Sequence, residues 1–279
     1  MDWRGRRMSQ NVEDRRRGGG MARTGGIGGI GLIVVLLIGV FFGVDVTPFL
    51  GGGMTTTQAP AGPNQIEDDT EAFVATVLGG TEDVWGPIFK QSGLAYAEPR
   101  LVLYSGVDRS ACGAANAAMG PFYCPNDQTV YLDTDFFRVL DQQMGAGGEF
   151  AAAYVIAHEV GHHVQNELGT LGQVNQARSR SSERESNALS VRTELQADCY
   201  AGMWARGARD IFNIGRTDIA EAMNAAARIG DDALQRASQG VVVPDSFTHG
   251  TSEQRQTWFA RGFESGDPAQ CDTFQAQAL

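Results

Sequence analysis

Three of the chain's four histidines, His158, His162 and His163, fall within six positions in the stretch AHEVGHHVQNEL (157–168). On an α-helix, residues four apart project from one face one turn apart, so His158 and His162 can aim two imidazoles at one point. Two such rings can close on a tetrahedral Zn²⁺ at about 2.0–2.1 Å each. Glu159 is rotated to the side, where its carboxylate can reach a water on that ion without itself being a ligand; this is the HExxH arrangement, here HEVGH. His163 lies one position further round, on the side of Glu159, and is expected to support the site from behind or to lie at the surface. The group is embedded in AAAYVIAHEVGHHV, where unpaired imidazoles and a carboxylate would be costly to bury. A metal supplies the compensation.

A catalytic zinc takes three protein ligands and keeps one position open. The extended metzincin pattern requires Gly at 165 and His at 168, where this chain has Gln165 and Leu168, so that pattern is excluded. His249 is one candidate for the third ligand. Glu194, in ELQAD (194–198) and 32 residues beyond His162, is the stronger one. Asp198, one turn on, can accept from the N–H of a ligating histidine and fix its ring. Like charges at i and i+4 repel when nothing binds them, and the surrounding LQADCYAGMWA is apolar, so a pair of solvent-facing acids is the poorer reading. THGTSEQR, which holds His249, resembles the downstream histidine segment of some gluzincin-like membrane peptidases, and that resemblance implies a histidine that donates to a developing oxyanion; the other reading is a turn residue. Arg255 is a possible partner for Asp198.

HEVGHHVQ with ELQADCYAGMWA, SACGAANAAMGPFYCP, TVYLD followed by Phe136 and Phe137, and the opening MDWRGRRMSQNVEDRRR together resemble the bacterial neutral zinc metallopeptidase family, the YpfJ-like proteins. The likeness covers nearly the whole chain. It implies a gluzincin-type site with Glu194 as third ligand and a zincin-like metallopeptidase domain. The expected function is that of a membrane-anchored, extracytoplasmic zinc-dependent endopeptidase acting on peptides or proteins. Zinc on His158, His162 and Glu194 would polarise the scissile carbonyl while Glu159 acts as general base. An extended substrate could add as a strand beside Thr129–Asp133. The alternative is a non-catalytic, zinc-stabilised binding or assembly module of the cell envelope.

The elements that must position these residues follow from local pattern. Residues 150–168 read as a largely buried helix between Gly148 and Gly169, and a polar stretch (170–184) separates it from a second helix of roughly 185–206. Further helical turns are expected over 218–229 and 232–238, and Thr251 with Gln254 forms a capping box for a helix stopping at Gly262. Upstream, Phe73, Val74, Val77, Val84, Trp85, Ile88 and Phe89 have helical spacing and fit two helices or one broken one. RLVLYSG (100–106) and QTVYLD (128–133) are short β-rich runs that could form a small sheet. The expected class is α+β, predominantly helical, with a small sheet and one preceding transmembrane helix.

That last element comes from composition. Residues 24–44 carry no charge, and IGLIVVLLIGVFFGV at their centre gives the whole run a length of roughly 30 Å as a helix, enough to span a bilayer. The organisation expected is therefore a basic cytoplasmic N-terminus (1–26), a transmembrane anchor (27–46), a flexible linker (47–65) and a metallopeptidase domain (66–279). Residues 1–30 hold seven arginines and three acids; removing that net +4 from the total of −11 leaves −15 on the remainder. A body so acidic disfavours nucleic-acid binding. With arginines on the cytoplasmic side, the expected location is the bacterial cell membrane, single-pass, with the C-terminal domain periplasmic or extracellular. Four cysteines agree with an exported domain, and spacing favours Cys112 with Cys124 and Cys199 with Cys271.

Overall fold

A computed structural model describes residues 1–16, 66, 68–116 and 119–279. The Asp68 carboxylate accepts from the Glu71 amide and opens helix α1 (Asp69–Gln91), with Asp69 and Glu71 in the first turn, where the helix dipole favours acids. The helix runs through all 23 residues without a break and buries Phe73, Val74, Val77, Trp85 and Phe89. The choice left open by the spacing is thus settled as one continuous helix.

A four-stranded sheet has the order β1-β2-β6-β5, where β1 is Val12–Asp14, β2 Arg100–Tyr104, β5 Phe122–Cys124 and β6 Thr129–Asp133. β1, β2 and β6 are parallel and β5 is antiparallel to β6, with Tyr123 opposite Val130. Between β2 and β5 the chain makes a separate antiparallel hairpin, β3 (Val107–Ser110) with β4 (Gly113–Asn116). The Cys112–Cys124 disulfide ties the hairpin turn to β5. Both sequence-expected strands form. However, β6 is hydrogen-bonded on both sides, so it cannot accept a substrate strand; the sheet edge beyond β6 belongs to β5.

Asp133 caps α2 (Thr134–Gln142). The central helix α3 (Glu149–Glu167) carries HEVGH, and its first turn is capped from another element, with Glu221 accepting from the Phe150 amide. The polar stretch that follows contains a helix that the sequence did not announce, α4 (Thr170–Arg178), which buries only Val174. Ser182 and Glu185 form a capping box at the start of α5 (Glu183–Gly207). Then come α6 (Arg216–Arg228), α7 (Asp231–Gln239) and α8 (Ser252–Ser265). The expected stop at Gly262 is instead an interior residue of α8, and Gly266, at φ 63°, ends the helix. A Cβ on Gly262 would overlap the Cys199 carbonyl oxygen, and one on Gly202 the Phe259 carbonyl oxygen, so these glycines let α5 and α8 pack backbone to backbone. The Cys199–Cys271 disulfide fastens the end of the chain to the same helix. Both cysteine pairings match those expected from spacing.

At the N-terminus the structure differs from a separate basic segment. β1 is a strand of the sheet, and Trp3 is buried edge-on against Phe73, with ring centroids 5.5 Å apart. The arginines pair with acids of the folded body: Arg7 with Glu82, Arg15 with Asp108, Arg16 with Asp68. Residues 1–16 are therefore part of the domain that was expected to begin at residue 66. The expected transmembrane helix (27–46) and linker (47–65) lie outside the described residues; among the described ones, no helix is long and apolar enough to cross a membrane. Trp3→Ala should destabilise the fold by about 3–5 kcal/mol in urea unfolding, the usual cost of emptying an aromatic core position; an unchanged midpoint would show that the segment is not held in the core.

Candidate metal centre

Helix α3 presents His158 and His162 on one face, with ring centroids 4.9 Å apart. Helix α5 crosses that face and brings Glu194 to them: Oε2 lies 3.1 Å from His158 Nε2 and Oε1 lies 3.5 Å from His162 Nε2. The close crossing depends on Gly161, because a Cβ there would sit 3.0 Å from the Ala197 carbonyl oxygen. The glycine of HEVGH is thus the residue that lets the carboxylate approach.

Each imidazole is oriented through its other nitrogen. His158 Nδ1 donates to Asp198 Oδ1 at 2.8 Å, leaving Nε2 toward Glu194. His162 Nδ1 lies 2.8 Å from Gln165 Oε1. The Gln165 amide is fixed because its NH₂ donates to the Thr193 carbonyl at 2.7 Å and to Gln196 Oε1 at 3.1 Å, so its oxygen must face the ring and Nδ1 must carry the proton. Nδ1 of each ring is thus engaged behind it, and both Nε2 atoms face Glu194. The donor atoms of His158, His162 and Glu194 lie within 4.8 Å of one another. Ligands about 2.0–2.1 Å from a tetrahedral ion are separated by about 3.3 Å, which the two observed separations bracket, so the donor set fits zinc.

Asp198 is completely buried. Its Oδ1 accepts from Tyr154 Oη at 2.5 Å, from His158 and from Arg255 Nη2 at 3.0 Å; its Oδ2 accepts from Arg255 Nε at 2.8 Å. The Arg255 pairing considered from sequence is therefore present. Burial opposes the charge on Asp198, but Arg255 and His158 outweigh it and hold its pKa below the ordinary range. Burial likewise opposes a proton on His158, yet the Asp198 and Glu194 carboxylates push its pKa up to about 10. Glu194 is held well below its ordinary value because His162, His249 and His158 overcome its burial. Glu159 moves the other way. It is buried at the cavity wall, and desolvation raises its pKa against the opposing pull of His162 and His158. The two carboxylates thus stand in opposite environments, Glu194 held low by the histidines and Glu159 raised by burial.

His249 lines the same cavity, on a loop held by Asp231. Asp231 Oδ2 accepts from the amides of Thr248 (2.7 Å), His249 (2.6 Å) and Gly250 (3.0 Å), and Oδ1 lies 3.2 Å from His249 Nδ1. His249 therefore stands beside the Glu194 group, while the grouped ligands are the two helical histidines and Glu194. His163 is fully buried and faces away from them. Its Nε2 donates to the Ala97 carbonyl at 2.6 Å and its Nδ1 lies 3.1 Å from Tyr123 Oη, while burial lowers the pKa of the ring. Tyr123 also accepts from Asn166. His163 thus bolts β5 to α3.

Tyr154, Gln165 and Asp231 were missed by sequence reasoning. The first two had a usable signal, standing four before His158 and three after His162, on the same helical face. Asp231 had none, since it meets its loop 18 residues away only through the fold. Gln165→Leu should weaken zinc binding about 10–100-fold in chelator competition, the usual cost of losing a partner behind a ligand; unchanged affinity would rule out the orienting role.

A family model described as "Putative neutral zinc metallopeptidase" matches residues 1–274. The chain is 49% identical over 285 residues to "Uncharacterized protein YpfJ" of Escherichia coli (strain K12), covering 98% of this chain and 99% of that relative. It is 42% identical over 248 residues to "Uncharacterized protein Rv2575" of Mycobacterium tuberculosis (strain ATCC 25618 / H37Rv), covering 85% of this chain and 81% of that one. No solved structure matches. With the match running through β1, both disulfides and the metal group, the chain belongs to the neutral zinc metallopeptidase family.

Proposed function

We propose that the protein is a zinc-dependent endopeptidase with a gluzincin-type HExxH site. The observation that carries this reading is the convergence of His158, His162 and Glu194 in a cavity that also holds the buried, proton-hungry Glu159. His158, His162 and Glu194 would hold the zinc. When bound, zinc supplies a Lewis acid for the water and the carbonyl of the bond to be cut. Glu159, whose pKa is raised by burial, takes the proton of the attacking water and passes it to the leaving amine. His249, oriented by Asp231, is placed to donate to the oxyanion from the loop side. Asp198 and Arg255 keep His158 aimed and take no part in proton transfer.

Glu159→Gln should keep zinc at the wild-type stoichiometry while cleavage of a mixed peptide library falls at least about 10²-fold, a typical share for a general base. Cleavage in the wild type should also be abolished by a chelator. An equally active Glu159→Gln variant would sink the assigned base; a wild type that binds zinc and cuts nothing would favour the non-catalytic envelope module.

For location, we propose an extracytoplasmic body, supported by its two disulfides. We place residues 1–16 on the same side as that body and not across a membrane from it. β1 pairs with β2, and Arg16 Nη2 lies 3.0 Å from Asp68 Oδ2, so the chain leaves and re-enters the domain at one point. Single cysteines at the exposed Arg6 and Glu253 should react alike with an impermeant maleimide in intact cells. Labelling of one and protection of the other, with both reactive after lysis, would restore the single-pass arrangement.

A further inference from the structure

The cavity at the metal centre has a volume of 530 Å³, within the roughly 300–1,000 Å³ typical of ligand pockets. Apart from the metal group, much of its wall is apolar and comes from separate stretches of chain: Phe136 and Val139 on α2, Met144 just after it, Val155 on α3, Ile229 after α6 and Leu234 on α7. Val155 stands three residues before His158, on the same helical face, so the apolar wall begins directly beside a ligand. Phe136, Met144 and Ile229 pack against the core yet remain only half-buried, presenting apolar surface to the cavity.

The charged groups lining the cavity are gathered at the metal group, where Glu159 and Glu194 stand with the histidines, or are paired away from it. Asp135 and Arg138 at the cavity mouth are exposed and lie 3.7 Å apart, and Arg255 is committed to Asp198. A charged side chain entering the apolar part, beside Phe136, Val139, Met144, Ile229 and Leu234, would lose its hydration against a wall of uncharged side chains. Phe122 and Tyr123 of the edge strand β5 line the same cavity. A peptide extended along β5 would send alternate side chains to one face, and one of these would enter the cavity.

We propose that this cavity is a specificity pocket that takes one bulky uncharged side chain, of leucine, methionine or phenylalanine size, adjacent to the bond held at the metal centre. The inference rests on the peptidase reading, but its test does not require turnover. N-acyl hydroxamates of leucine, glycine and glutamate, which anchor through the metal, would be titrated into the zinc-loaded full-length protein. The leucine compound should bind at least about tenfold more tightly than either of the others, since even one fitted methylene is worth about 10–200-fold. Leu234→Trp, and independently Ile229→Trp, should fill the pocket and abolish or reverse the preference for leucine over glycine at unchanged zinc stoichiometry.

Equal affinities for the three compounds, or no binding by any of them, would overturn the pocket. So would an unaltered preference in both tryptophan variants. A clear leucine preference in a protein that cuts no peptide would leave the pocket standing and defeat only the peptidase reading. Cleavage of library peptides with small or charged residues on both sides of the bond would do the opposite.

Discussion

The buried carboxylate of Asp198 is the constraint on which the metal centre depends. A lone charge at such depth would cost several kcal/mol, and here it is met by four donors: Arg255 twice, Tyr154 and His158. Those donors come from α3, which carries the two histidines, and from α8. Satisfying one anion thus fixes the position of α3 relative to α5 and α8, and the His158 ring is aimed as part of the same network. Orientation of a metal ligand and integrity of the core are one physical event.

The helices can meet around that carboxylate only because glycine stands where backbones touch. Gly161 admits Ala197 of α5 to α3, and Gly202 with Gly262 admits α8 to α5. A Cβ at Gly202 or Gly262 would overlap a facing carbonyl oxygen, and one at Gly161 would press on Ala197 by a few tenths of an ångström, which is itself the tolerance of a ligand shell. Glu194 lies one turn before Ala197, so its reach to the histidines is set at the same crossing. The Cys199–Cys271 bond then closes the far side of α5.

A second layer of control comes from the sheet. β5 carries Tyr123, and the His163–Tyr123 hydrogen bond together with the Cys112–Cys124 disulfide holds the edge strand at a fixed distance from the metal helix. β1 extends the same sheet at its other edge, and Arg15 and Arg16 just after it neutralise part of a strongly acidic body. Among the described residues, Arg4, Arg7, Arg15 and Arg16, part of the charge asymmetry that suggests membrane orientation in the sequence, form ion pairs with acids of the fold. Opposite charges separated along the chain look the same in sequence whether they face each other or face apart.

The sequence by itself determined that His158 and His162 share one helical face with Glu159 beside them, because helical periodicity alone places them so. It also pointed to Glu194 and Asp198 as a unit, since an apolar helix does not carry two acids one turn apart without a partner, and spacing favoured, among three possible connectivities, the two disulfides that form. Tertiary structure decided everything that depends on which surfaces meet. It made Gly262 a point of helix contact instead of a stop, put β6 in the sheet interior and β5 at its edge, and drew residues 1–16 into the core. It also recruited Asp231 to hold His249. Local patterns record the period of an element and the chemistry of its faces; long-range packing chooses the partner of each face, and that choice leaves no periodic trace in the chain.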